Sequence, residues 1–265
     1  MKAVLVIVCL IMSAQVSWSQ QSFDWKQILN NSTTAKLNLF LDSVASDSVV
    51  FGNRVSVYDY YNRTLTPSFN ERVIFLEDSY GIDSARLSWR SNSYLISIIQ
   101  REDSIVFAKV DTLISMFYVT KQEGIVPVFQ FESKKLMQKV EEEFRQIYHT
   151  GLQRDELFNL TIQFGLKCGR HTLPVPTGEY GKIRAYVDKK QVGKLRAYLT
   201  STCLETQMFG VQGFYELKTD ESYTIKPEDQ ALIDFILSKS GQVIHCRGCG
   251  IVRWDIAYFK KEFGF

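Results

Sequence analysis

The sequence predicts an α+β protein: a β-rich N-terminal half built on an antiparallel sheet, followed by a helical C-terminal half. Three observations predict it. From Arg72 to Phe129 short runs of apolar and polar residues alternate, and Ser93–Gln100 and Ser104–Asp111 flank the polar Arg101-Glu102-Asp103, a hairpin pattern. From Ser133 onward the apolar spacing changes to three and four, as in Leu136, Val140, Phe144 and Ile147. The composition, 45% hydrophobic and 23% charged over 265 residues, suits a packed chain and excludes a disordered tail, a collagen repeat or a coiled-coil rod.

Residues 1–19 read as a signal peptide. Lys2 supplies the positive start, Ala3 to Met12 an apolar run, and Ser17 and Ser19 the small residues that a signal peptidase accepts. The run is too short to cross a bilayer, which takes about 20 apolar residues. The expected mature chain starts at Gln20, is exported to the periplasm or the extracellular space, and does not span a membrane.

Residues 20–131 are expected to form a helix and an antiparallel β region. Leu37, Phe40, Leu41 and Val44 share one helical face, with Ser32 or Thr33 as cap. Residues 48–61 fit helix and strand about equally. Arg72–Leu76, Ala85–Trp89, Leu113–Thr120 and Ile125–Phe129 add strands to the hairpin, and the alternation implies a sheet with one face buried.

Residues 132–265 are expected to be mainly helical, with a cysteine-containing tail, and no low-complexity linker separates them from residues 20–131. Leu157, Leu160 and Phe164 predict a second helix after the one through Phe144. Pro174, Pro176, Gly178 and Gly181 punctuate a loop. Asp188 can cap a helix carrying Val192, Leu195 and Leu199; Thr202-Cys203-Leu204-Glu205 has the form of a capping box; and Pro227 suits the first residue of a helix that Gly241 stops. These short, capped amphipathic helices resemble the helical pairs of HEAT and armadillo solenoids. The resemblance covers Asp188 to Ser240 only, rests on periodicity, and implies a local packing style, since an array needs at least three repeats.

The formal charge is +2, which argues against nucleic acid as a partner. Chemistry concentrates in the cysteines and histidines. Exported thiols tend to pair, which predicts disulfides Cys168–Cys203 and Cys246–Cys249. The competing reading is a structural zinc held by Cys168, His171, Cys246 and Cys249, since a C-x2-H and a C-x2-C pair together make a closed four-ligand set. Cys246-Arg-Gly-Cys249-Gly250 resembles a zinc-ribbon knuckle, although His171 stands where many ribbons carry cysteine. No cofactor is expected beyond that candidate zinc. A thiol-active Cys246–Cys249 pair is the third reading, against which Ile251-Val252-Arg253-Trp254 reads as strand rather than helix. His149 suits a helix end, and His245 either flanks the motif or is a core histidine. Tyr58, Tyr60 and Tyr61 could stack on sugars or fill a core.

No zinc-protease, nucleophile-elbow, P-loop, dinucleotide-binding or EF-hand motif is present in the sequence. The function expected from the sequence is therefore a non-enzymatic binding or structural protein of the periplasm or cell envelope, with a protein or glycan ligand. The alternatives are an exported zinc-binding or thiol-active protein centred on Cys246 and Cys249, and a hydrolase without a recognisable motif.

Overall fold

Period-two patterning becomes five long strands. The computed structural model describes residues 23–29, 32–47, 54–79, 91–113, 125–167, 175–176, 178–219, 223–247 and 250–263. Within it β1 (Arg54–Thr66), β2 (Phe69–Ser79), β3 (Ser91–Arg101), β4 (Ser104–Leu113) and β5 (Ile125–Glu132) pair antiparallel in chain order. The ambiguous 48–61 stretch thus resolves to strand from Arg54 onward. The expected β3–β4 hairpin forms, turning through Glu102 at φ 50. Residues 1–22, Ala85–Trp89 and most of Leu113–Thr120 lie outside the described residues, so the expected leader and two expected strands do too.

Both faces of this sheet are buried, which corrects the expectation of one. On the outer face Ile74, Leu76, Ile96, Ile98 and Val110 pack against Trp25, Leu29, Leu37 and Leu41. The last four come from α1 (Trp25–Leu29) and α2 (Thr34–Asp47). Of the two caps that the sequence offers, Thr33 serves: its hydroxyl accepts the Lys36 N–H at 3.2 Å. Asp103 of the β3–β4 turn adds a second acceptor for the Ala35 N–H at 2.7 Å, which ties helix to hairpin. On the inner face Val73, Phe75 and Leu95 meet Leu160 and Ile244, and Leu65 and Ile99 meet Met137, Val140 and Leu157. Strict alternation would put Tyr58 and Tyr61 on opposite faces. A bulge between Asp59 and Tyr61 inserts Tyr60 and brings Tyr58, Tyr61 and Arg63 onto the inner face.

The helical half covers that inner face. α3 (Lys134–Tyr148) buries Met137, Val140, Phe144 and Tyr148 and ends at His149, a left-handed C-cap at φ 56. The helix expected through Leu157, Leu160 and Phe164 does not form. Only a 3₁₀ turn, Arg154–Glu156, precedes an irregular segment in which Phe158 takes φ 58 and Asn159 accepts the Thr161 N–H at 2.9 Å. Such an Asn side chain competes with the helical ladder. A two-residue ribbon follows, β6 (Leu166–Lys167) with β7 (Val175–Pro176), and then α4 (Gly178–Asp188), so Gly178 and Gly181 lie in a helix rather than the expected loop.

α5 (Val192–Leu199) packs closely on α6 (Leu204–Thr219), the most buried helix. A Cβ at Gly210 would stand 2.8 Å from the Leu199 backbone nitrogen, so only glycine permits this approach. α7 (Pro227–Ser238) begins at Pro227 as expected. The tail forms the hairpin β8 (Gln242–Arg247) and β9 (Gly250–Asp255), then a helix, α8 (Ile256–Phe263). The result is a mixed α+β fold. Among the described residues no helix is long and apolar enough to cross a membrane.

Candidate functional site

Over β3, β4 and β5 the inner face floors a cleft of about 510 Å³, walled by Met137 of α3 and by residues 154–161. Small-molecule sites run from about 300 to 1,000 Å³. Strand register builds the floor in rows: Leu95, Asp111 and Pro127 in one, Ser97, Lys109 and Gln130 in the next. Phe107 stacks on Phe158 of the roof with ring centroids 5.7 Å apart.

Asp111 is the chemically unusual member. It is 2% exposed, and its Oδ1 has no hydrogen-bond partner among the described residues. Its Oδ2 lies 3.0 Å from Lys109 Nζ, a side chain that is itself 37% exposed. Leaving a buried acceptor unmet costs about 1–3 kcal/mol, and more when it is charged. Above it, Asn159 spends its carbonyl oxygen on Thr161 N–H and Oγ1–H, at 2.9 and 2.6 Å. Asn159 and Asp111 both line the cleft, one in its roof and one in its floor.

The roof segment is held from behind. Glu156 Oε2 accepts Ser201 Oγ–H at 2.6 Å and Thr202 N–H at 2.9 Å, and Thr202 Oγ1 accepts Gln153 N–H at 2.9 Å. Phe158 N–H donates to Glu71 Oε1 at 2.7 Å. Glu71 belongs to a cluster of ionisable side chains buried between sheet and helices. Arg63 Nε donates to Glu71 Oε2 at 3.0 Å and its Nη1 to Glu205 Oε1 at 2.8 Å, with all three side chains at most 3% exposed. Tyr61 Oη donates to Glu71 Oε1 at 2.8 Å, Ile244 N–H to Glu205 Oε1 at 2.9 Å, and Cys203 Sγ–H to Glu205 Oε2 at 3.2 Å. Lys239 Nζ reaches Gln207 Oε1 at 2.9 Å.

Burial sets the proton affinities in this cluster. It works against the Arg63 charge, but Glu205 and Glu71 outweigh it and hold the guanidinium well above its usual value. Burial, and then the Glu205 charge, push the Cys203 thiol far up, so Cys203 is not a reactive thiolate. Burial, and then the Arg63 charge, bring the Lys239 ammonium down to about 7.

Glu205 is not the capping glutamate its spacing suggests. It sits at 0% exposure on the Arg63 guanidinium, while the Thr202 N–H is taken by Glu156. Nor do the three tyrosines present a sugar-stacking face: Tyr61 is 1% exposed, and Tyr58 and Tyr60 pack onto Phe75 and its neighbours.

Of the expected zinc or disulfide residues, Cys168, His171 and Cys249 lie outside the described residues, and of Cys246 only the backbone is described, on β8 opposite Ile251. Cys203 is a free, buried thiol. The tail hairpin lies beside the segment that precedes Cys168, for Phe164 N–H donates to the Ile244 carbonyl at 2.9 Å. His245 is a core residue, its Nδ1 2.8 Å from the Phe164 carbonyl and its ring against Trp254. Among the described residues no group of three or more His, Cys, Asp or Glu is placed to hold a metal ion.

Sequence reasoning missed Asp111, Arg63, Glu71 and Glu205. A signal for two of them was present: Arg63 alternates with Tyr61 and Leu65, and Glu71 with Val73 and Phe75, so each stands in the apolar register of its strand. Comparison with known protein families, with characterised proteins and with solved structures finds no match.

Proposed function

We propose that this chain is an exported, non-enzymatic binding protein of the periplasm or cell envelope, and that its cleft takes a small, neutral, hydroxyl-rich ligand of glycan type. The leader-like first 19 residues support export. The observation that carries the binding reading is Asp111 on the cleft floor, almost fully buried and with an oxygen that no group among the described residues meets. A ligand hydroxyl supplies the missing donor.

The lining argues for a neutral ligand over an ionic one. Lys109 and Arg154 are balanced by Asp111 and Asp155, and Ser97, Gln130, Asn159 and Thr161 add uncharged donors and acceptors. Phe107, Phe158, Leu95 and Leu160 give apolar surface for the carbon face of a sugar ring.

Calorimetric titration of the purified protein with a panel of mono- and disaccharides tests this. At least one saccharide should bind, and Asp111→Asn should weaken it by about 10- to 150-fold, the equivalent of one hydrogen bond to a charged group. Failure of the whole panel to bind, or binding that Asp111→Asn leaves unchanged, would overturn the reading.

A further inference from the structure

One hydrogen-bonded chain and one electrostatic path connect the roof of the cleft to Lys239. In the first, Lys239 Nζ donates to Gln207 Oε1 at 2.9 Å, Gln207 Nε2 donates to the Ser201 carbonyl at 2.6 Å, and Ser201 Oγ–H donates to Glu156 Oε2 at 2.6 Å. Glu156 closes the 3₁₀ turn of the roof. In the second, Arg63, which bears electrostatically on Lys239, holds Glu71, and Glu71 takes the Phe158 N–H at 2.7 Å.

The groups that face Lys239 come from every element around it. Arg63 stands on β1, Glu71 on β2, Glu205 on α6 and Cys203 just before it. Tyr148 of α3 places its ring 5.4 Å from Nζ, and Phe235 of α7 places its ring at 5.6 Å. Of the fixed charges, Arg63 is one cation against two carboxylates. A proton on Lys239 therefore decides whether this buried set is balanced or carries one excess negative charge.

We propose that protonation of Lys239 tightens the roof of the cleft and so strengthens ligand binding. The inference rests on the reading of the cleft as a ligand site. An ammonium holds Gln207 by a charge-assisted bond, shorter and stronger than the one a neutral amine makes. Loss of the proton weakens the first chain at its origin and leaves Glu71 and Glu205 to a single cation. Because burial places this change near pH 7, affinity should fall as pH rises through neutrality. Linkage requires the converse, so ligand binding takes up protons at that pH.

Two measurements on the full chain test this. One is saccharide affinity from pH 5.5 to 8.5, titrated in two buffers of different ionisation enthalpy. The other needs no ligand: amide exchange at Phe158 and Thr202 over the same range, corrected for intrinsic rates. Wild type should lose about 5-fold or more in affinity from pH 6 to 8, with faster exchange at both amides. Lys239→Met, which keeps the stem and removes the charge, should flatten both profiles. Gln207→Leu, which cuts the first chain by removing the acceptor of Lys239 Nζ while leaving the lysine in place, should flatten the Thr202 profile. If wild type and Lys239→Met show the same pH dependence in both measurements, the coupling is wrong. If no saccharide binds at any pH, the ligand reading falls, and the exchange profiles alone decide the coupling.

Discussion

Replacing Arg63 by methionine removes the single cation that Glu71 and Glu205 share while keeping most of the side-chain volume. Arg63 is 1% exposed, and its partners are 2% and 0% exposed, so solvent screens none of the three. Taking one partner from a buried ion pair typically costs about 3–5 kcal/mol, because the remaining charge is left uncompensated in a medium of low dielectric constant. Here two carboxylates are stranded, which pushes toward the top of that range. Each keeps protein donors, however: Tyr61 Oη and Phe158 N–H on Glu71, Ile244 N–H and Cys203 Sγ–H on Glu205. Arg63 also leaves two N–H donors unmet among the described residues, since its Nη2 has no partner there. We therefore expect a loss of about 3–5 kcal/mol at pH 7, or roughly 6–20 °C in Tm for a chain of this size. Urea unfolding followed by far-UV circular dichroism reads it. Arg63→Met combined with Glu71→Met and Glu205→Met should recover most of it, because an apolar core of similar volume is often as stable as a buried ion set. A loss under about 1 kcal/mol for the single variant, or a triple variant no better than the single, would mean that Arg63 does not hold the two carboxylates in place.

Lys239 gives a stability–pH prediction of definite sign. Its folded value of about 7 lies below the ordinary lysine value of 10.5, so between these the unfolded chain binds more protons. Its contribution is therefore full above pH 10.5 and is lost as pH falls toward 7, by up to about 5 kcal/mol at 1.36 kcal/mol per pH unit. Urea unfolding from pH 7 to 10 should show wild type gaining on Lys239→Met by a few kcal/mol at most; an unchanging gap would count against this. Gly241→Ala should lower stability by about 2 kcal/mol or more, because φ is +115 and the new Cβ would fall 2.3 Å from the Arg63 Cβ; a thermal melt unchanged from wild type would contradict the packing. Cys203 should resist alkylation in the native protein and react once urea unfolds it, as peptide mapping reads directly, and rapid native labelling would contradict its burial.

Where one local rule settled an element, the sequence was readable. The hairpin of β3 and β4 follows from alternation across a polar turn, Thr33 caps through its own hydroxyl, and Pro227 opens α7 because it has no N–H to lose. Spacing misled where several cores compete for one segment. Leu157, Leu160 and Phe164 have helical intervals, yet each enters a different cluster: beside Val140, beside Tyr61 and beside Phe209. An extended path distributes them that way, and Glu71 and Asn159 take the backbone donors that a helix would have used. Glu205 fitted the capping pattern from local sequence, but its partner is 142 residues away, and no window contains that information. Asp111 was legible as the end of a strand and illegible as a cleft floor, since its isolation depends on how β4, β5 and the roof segment leave space between them.

That separation of 142 residues between Arg63 and Glu205 also sets a clock. At about 5–20 residues per second of synthesis, the sheet's arginine is made roughly 7–28 s before its second carboxylate exists. Throughout that interval β1 and β2 carry Arg63 and Glu71, paired with each other on an otherwise apolar face, while the second carboxylate of the cluster is still missing. The charge balance of the sheet's inner face is therefore completed by a residue of the second half of the chain, and a fragment ending before α6 carries the arginine with only one of its two carboxylates.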